Sequence, residues 1–220
     1  MNNHHDDLIN SLVNDLKPVR PMRTALLWAG AGVGLLLAAV FISVFYGFRP
    51  EIVALSTGAL PVHFTPIGKP LLFLVLGVTA LWSVSKLNRP ENEFHIIHIL
   101  PIMVGVSIAI LNMILEIATE DYVFLIHQLH GKVILCYATI LCGGTMGQLV
   151  MWRFWLSKGA TTFPTILAAM SGLTTSSLMA SAYSLHCPMD APIYVVLVYG
   201  MAVAIYTGLS TLVSRHFLKW

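Results

Sequence analysis

Apolar residues run along this chain in six long blocks, at about Ala25–Tyr46, Pro70–Leu87, Ile96–Ile117, Lys132–Trp152, Pro164–Leu185 and Ile193–Ser214, with short polar breaks between them. Each is long enough, or nearly so, to cross an apolar layer about 30 Å thick as a helix. None shows the strict alternation of a transmembrane β-strand. The pattern predicts an all-α, polytopic membrane protein with six transmembrane helices.

Ahead of the first block stands a polar segment of different rhythm, MNNHHDDLINSLVNDLKPVRPMR. Between Asp6 and Lys17, residues Leu8, Ile9, Leu12, Val13 and Leu16 fall within one helical stripe of about 140°. Asp6, Asp7, Asn10, Ser11, Asn14, Asp15 and Lys17 fill the rest of the wheel, and Pro18 and Pro21 stop the helix from running into the first span. So short a helix is marginal alone in water and needs a surface to lie against. Its acids interrupt any apolar signal-peptide core, so it reads as a cytoplasmic headpiece of residues 1–23. The bundle is expected over 24–215, with a short tail at 216–220.

Composition agrees: 57% of the 220 residues are hydrophobic and 10% charged, against about 25% charged in soluble domains. A net charge of +2 without a basic cluster gives no case for direct nucleic-acid binding. An even number of spans puts both termini on one side. That side would carry Lys17, Arg20, Arg23, Lys86, Arg89, Arg153, Lys158, Arg215 and Lys219, against Arg49, Lys69 and Lys132 opposite. Basic residues collect in the cytoplasm, so both termini are expected there, with Trp28, Trp152, Trp155 and Trp220 at the inner interface. Pro50, Pro61, Pro66 and Gly68 are expected to keep the first outer loop irregular, and Asp121–His130 to form a short helix along the outer interface.

Motifs for phosphate binding, zinc hydrolysis or serine hydrolysis are missing, which points away from an enzyme. The serine- and threonine-rich run SGLTTSSLMASAYS in the fifth block marks close helix packing rather than a substrate path. Glu116 closes the third block, where a carboxylate is either structural and solvated or part of an ion or proton path.

Chemistry gathers at the outer face. Cys187 stands in the turn SLHCPMDAP, where exposure is expected, beside His186 and Asp190. Cys136 lies about one turn inside the fourth block, and His127 and His130 precede it on one helical face. Thiolates and imidazoles suit zinc, copper and similar ions, so a transition metal held by His127, His130, His186, Cys136 and Cys187 is one reading. A disulfide between the two cysteines is another. Cys142, next to Gly143 and Gly144, is expected to pack as a small apolar residue.

Three stretches, DDLINSLVNDLKPVRPM, YSLHCPMDAPIYVVLVY and the terminal FLKW, together resemble the NrsF family, negative regulators of the sigma factor SigF in bacteria. The resemblance implies a multi-pass inner-membrane anti-sigma factor. Its N-terminal segment would hold an extracytoplasmic-function sigma factor inactive until metal or oxidative stress releases it. It also implies a cysteine pair matching Cys187 and, by spacing back from LSKGATTFP, Cys136 in preference to Cys142. In that setting Leu8, Ile9, Leu12, Val13 and Leu16 would dock in an apolar groove of the sigma factor. Asp6, Asp7 and Asp15 would pair with its basic residues. Against this stand a helix lying on the lipid surface, a small transporter or metal-efflux protein, and a membrane thiol oxidoreductase, which the absence of a CxxC disfavours.

Overall fold

The computed structural model describes residues 24–56, 64–89, 97, 99–120, 133–159 and 161–217. The amphipathic headpiece, with Leu8, Ile9, Leu12, Val13, Leu16, Asp6, Asp7 and Asp15, lies outside them. So do His127, His130 and the Asp121–His130 segment.

The described residues are helical and contain no strand. The helices are α1 (Thr24–Phe45), α2 (Pro50–Ser56), α3 (Phe64–Leu87), α4 (Leu100–Thr119), α5 (Val133–Phe154) and α6 (Pro164–Ser184). A last helix, α7, starts at Pro192–Tyr194, widens into a π-helical stretch at Val195–Gly200 and continues as Met201–Phe217. Prolines sit in the first turns of α2, α4, α6 and α7, where the missing N–H has no intrahelical partner to lose. Gly47 ends α1 with φ of 77°, a left-handed conformation that disfavours a side chain.

Two expectations change here. Pro50 begins the short helix α2, and Pro66 and Gly68 lie within α3, instead of breaking structure. Helix α3 starts six residues before the predicted Pro70, which lies inside it, and this brings Lys69 into the bundle.

Among the described residues, five segments are long and apolar enough to cross a membrane: Thr24–Phe45, Ile67–Leu87, Leu100–Thr119, Val133–Lys158 and Pro192–Ser214. Helix α6 differs because it is rich in hydroxyls and almost wholly buried. Thr174 Oγ1 donates to the Met170 carbonyl at 2.7 Å and Ser176 Oγ to Gly172 at 2.8 Å, so these hydroxyls are satisfied within their own helix. Helix α6 forms the bundle axis, with α3, α5 and α7 packed directly around it. Helices α1 and α4 stand at the periphery and turn Leu36, Val44, Met103 and Leu111 outward.

Glycines permit the closest approaches. A Cβ on Gly77 would stand 2.8 Å from Leu178 Cδ2, and one on Gly172 would stand 2.6 Å from Ser210 Cβ. The second contact cannot be relieved by turning a flexible side-chain end. Gly172→Ala is therefore expected to destabilise the bundle by about 1–3 kcal/mol, read by unfolding in mixed micelles. Gly143→Ala, which meets the flexible Met179 side chain, should cost less. Equal stability of both variants would count against this packing.

Trp155 is buried instead of lying at an interface: it is 6% exposed and sits among the core residues with Leu156.

Candidate functional site

Where α6 ends, the chain turns under its own last carbonyls. His186 N–H donates to the Tyr183 carbonyl at 3.0 Å and Cys187 N–H to the same carbonyl at 3.3 Å. The segment after α1 closes over this turn. Arg49 N–H donates to Leu185 O at 3.2 Å, and His186 Nδ1 lies 3.0 Å from Gly47 O.

Two buried cations lock the turn. Arg49 is 3% exposed and Lys69 4%. Arg49 Nη1 donates to both oxygens of Asp190 at 2.9 Å and to the Cys187 carbonyl at 3.1 Å. Lys69 Nζ donates to the carbonyls of Cys187 and Met189, each at 2.8 Å, and stands 3.2 Å from Asp190 Oδ1. Its ammonium also lies 4.9 Å from the centre of the Tyr199 ring. Two cations thus meet one carboxylate, and Arg49 Nε and Nη2 remain buried without a hydrogen-bond partner among the described residues.

Beneath the clamp lie the thiols. Cys136 on α5 is 1% exposed and Cys187 5%; both are free. The two thiols are electrostatic neighbours, and Cys136 Sγ is 3.3 Å from the Tyr194 hydroxyl. Tyr183, Tyr194 and Tyr199 wall the pair, with ring centres 6.1 Å apart for Tyr183–Tyr199 and 6.2 Å for Tyr194–Tyr199, and Tyr46 packs edge-on against Tyr183. The sequence placed Cys187 in an exposed turn, but Arg49 and Lys69 draw that turn down into the bundle. Cys142 is corrected in the opposite sense, because it faces outward and is exposed.

Its interaction with Cys136, and the nearby Lys69 charge, hold the Cys187 thiol below its usual range, against the opposing effect of burial. A lowered folded-state pKa stabilises the fold fully above the unfolded value of about 8.5, and this contribution is lost as pH falls through the folded value. The reduced protein is thus expected to lose thermal stability on acidification from about pH 8.5 by an increment that Cys187→Ser lacks. Identical pH profiles for the two proteins would contradict it.

Among the described residues no group of three His, Cys, Asp or Glu side chains is placed to hold a metal ion. His186 turns its Nδ1 toward Gly47 O and packs against Tyr46 and Tyr183, instead of meeting the thiols as a ligand. Glu116 has a structural partner: its Oε2 accepts the Ile193 N–H at 2.6 Å, capping the first turn of α7.

Sequence reasoning passed over Arg49 and Lys69, which it counted only as outer-loop charges. It also missed Gln148, which is 8% exposed and donates to Ser171 Oγ at 2.8 Å in the other half of the bundle. A glutamine amid an apolar span was the available signal.

Comparison with known proteins gives the arrangement its context. The profile of the family described as "Negative regulator of sigma F" matches residues 12–220. The chain is 26% identical over 221 residues to the "Anti-sigma-F factor NrsF" of Caulobacter vibrioides (strain NA1000 / CB15N), covering 98% of this chain and 99% of that protein. No solved structure matches the chain. A match over residues 12–220, nearly the whole length, places this chain in the NrsF family of negative regulators of sigma F.

Proposed function

We propose that this protein is a six-span anti-sigma factor of the bacterial inner membrane, with both termini in the cytoplasm. In this reading it sequesters a SigF-type extracytoplasmic-function sigma factor through residues 1–23. The family match over residues 12–220 carries the proposal. Five apolar helices long enough to cross, together with α6 as the buried axis, support six crossings. Lys86, Arg89, Arg153 and Lys158 are exposed at the end away from the cysteines, whereas Arg49 and Lys69 are buried. Exposed basic charge therefore favours the end away from the cysteines as cytoplasmic.

Release is assigned to the thiol pair. Oxidation, or capture of a thiophilic metal ion, at Cys136 and Cys187 changes how α5 packs against the α6–α7 turn. A hundredfold fall in sigma affinity requires the two bundle states to differ by about 2.7 kcal/mol in their preference for sigma. One new covalent or coordinate bond is of that order. Cys136→Ser and Cys187→Ser should each blunt induction of the sigma regulon by oxidant or metal while leaving repression in place. Normal induction in both variants would refute the thiol switch.

A further inference from the structure

We infer that Arg49 and Lys69 make Cys187 the attacking thiol of the pair and leave Cys136 to resolve it. This rests on the thiol-switch reading and adds an order of events to it.

The two sulfurs have different surroundings. Cys187 belongs to the clamped turn: its own carbonyl takes Lys69 Nζ at 2.8 Å and Arg49 Nη1 at 3.1 Å. The carboxylate facing those cations is Asp190, so one positive charge is left over in a buried place, and Arg49 keeps two donors unused. A thiolate on Cys187 supplies the missing negative charge. Tyr199 and Tyr183 also face it, and the His186 ring is turned away toward Gly47. Cys136, on α5, has another neighbourhood: the Tyr194 hydroxyl at 3.3 Å, with Tyr183 and the Cys187 thiol beside it. A thiolate is the nucleophile in such chemistry, and cations beside it raise its population at neutral pH.

The step uses a small hydroperoxide, ROOH, as oxidant. The Cys187 thiolate gives an electron pair to the terminal oxygen, the O–O bond breaks, and RO⁻ leaves to take a proton from water. Cys187 is then a sulfenic acid. The Cys136 thiol attacks that sulfur, the S–O bond breaks, water leaves and a disulfide joins α5 to the turn. Two thiols have lost two electrons and the peroxide has gained them. At 5% exposure Cys187 admits a small oxidant in preference to a bulky one.

The test uses the full-length reduced protein in lipid nanodiscs, hydrogen peroxide, and dimedone to trap sulfenic acid, with site-resolved mass spectrometry. In Cys136→Ser protein, Cys187 should acquire dimedone at least roughly tenfold faster at pH 7 than Cys136 does in Cys187→Ser protein. Lys69→Met should slow trapping at Cys187 by roughly tenfold at neutral pH, with the deficit vanishing near pH 9.5, and Lys69→Arg should restore the rate. Faster trapping at Cys136 overturns the assignment in proteins that need no change to the clamp. So does an unshifted pH profile in folded Lys69→Met. Because trapping is read without sigma factor, a failure here is separate from failure of the thiol switch, which normal induction in both serine variants would reveal.

Discussion

Leu12→Asp in the full-length protein is expected to abolish retention of the sigma factor, weakening binding by at least roughly a hundredfold, or about 2.7 kcal/mol. Leu12 occupies the middle of the apolar stripe of Leu8, Ile9, Leu12, Val13 and Leu16. A helix docked in a groove buries that position most completely, and an unpaired carboxylate there has no compensating partner. Asn10→Asp, on the polar side, serves as the control and should leave capture intact. The two readings of the headpiece part company at this point. Were the helix lying on lipid, Leu12→Asp would detach it from the bilayer and spare sigma binding. Its three acids favour the protein partner, since an anionic inner leaflet repels them. Replacing Asp6, Asp7 and Asp15 together by Asn should slow association and reduce its salt dependence more than it speeds release. Capture assays with purified protein in detergent, at two ionic strengths, give both results.

Asp190→Ala is expected to cost about 3 kcal/mol of bundle stability, the low end of the penalty for breaking a buried ion pair, because about a quarter of its side chain is exposed. The loss leaves Arg49 and Lys69 buried without a carboxylate. The damage should be local: the turn at Leu185–Ala191 loses its tie to the segment after α1 while the α5–α6–α7 packing remains. Hydrogen exchange should then rise at Cys187–Asp190 before it rises along α6. Asp190→Asn, which keeps the shape and one acceptor oxygen, should recover part of the loss. An alanine variant as stable as the parent would mean the clamp does not hold the turn.

Helix positions were legible in the sequence because burial in an apolar layer forces the backbone to bond to itself, so long apolar runs become helices. Helix bounds shifted by a few residues where prolines stood. Pro70 reads as a start, yet α3 passes through it and thereby carries Lys69 inward. The packing role of SGLTTSSLMASAYS was equally readable, since small residues have little other use in a bilayer. Hydropathy alone could not carry pairing at long range. Arg49 and Asp190 are separated by 141 positions, and Lys69 and Cys187 by 118. Neither has a local signal that names its partner. Cys136 and Cys187 were picked out from their composition and setting, but their mutual contact and their burial come from the folded turn. Cys142 was misjudged because a helix in lipid shows small residues outward as readily as inward.

The intact protein is expected to hold a sigma factor, and purification from its host tests this most directly. Reduced full-length protein extracted in mild detergent is predicted to bring down one SigF-type sigma factor in near-stoichiometric amount, and to lose it when oxidant is added. Recovery of the pure, folded protein without any sigma factor would contradict the account.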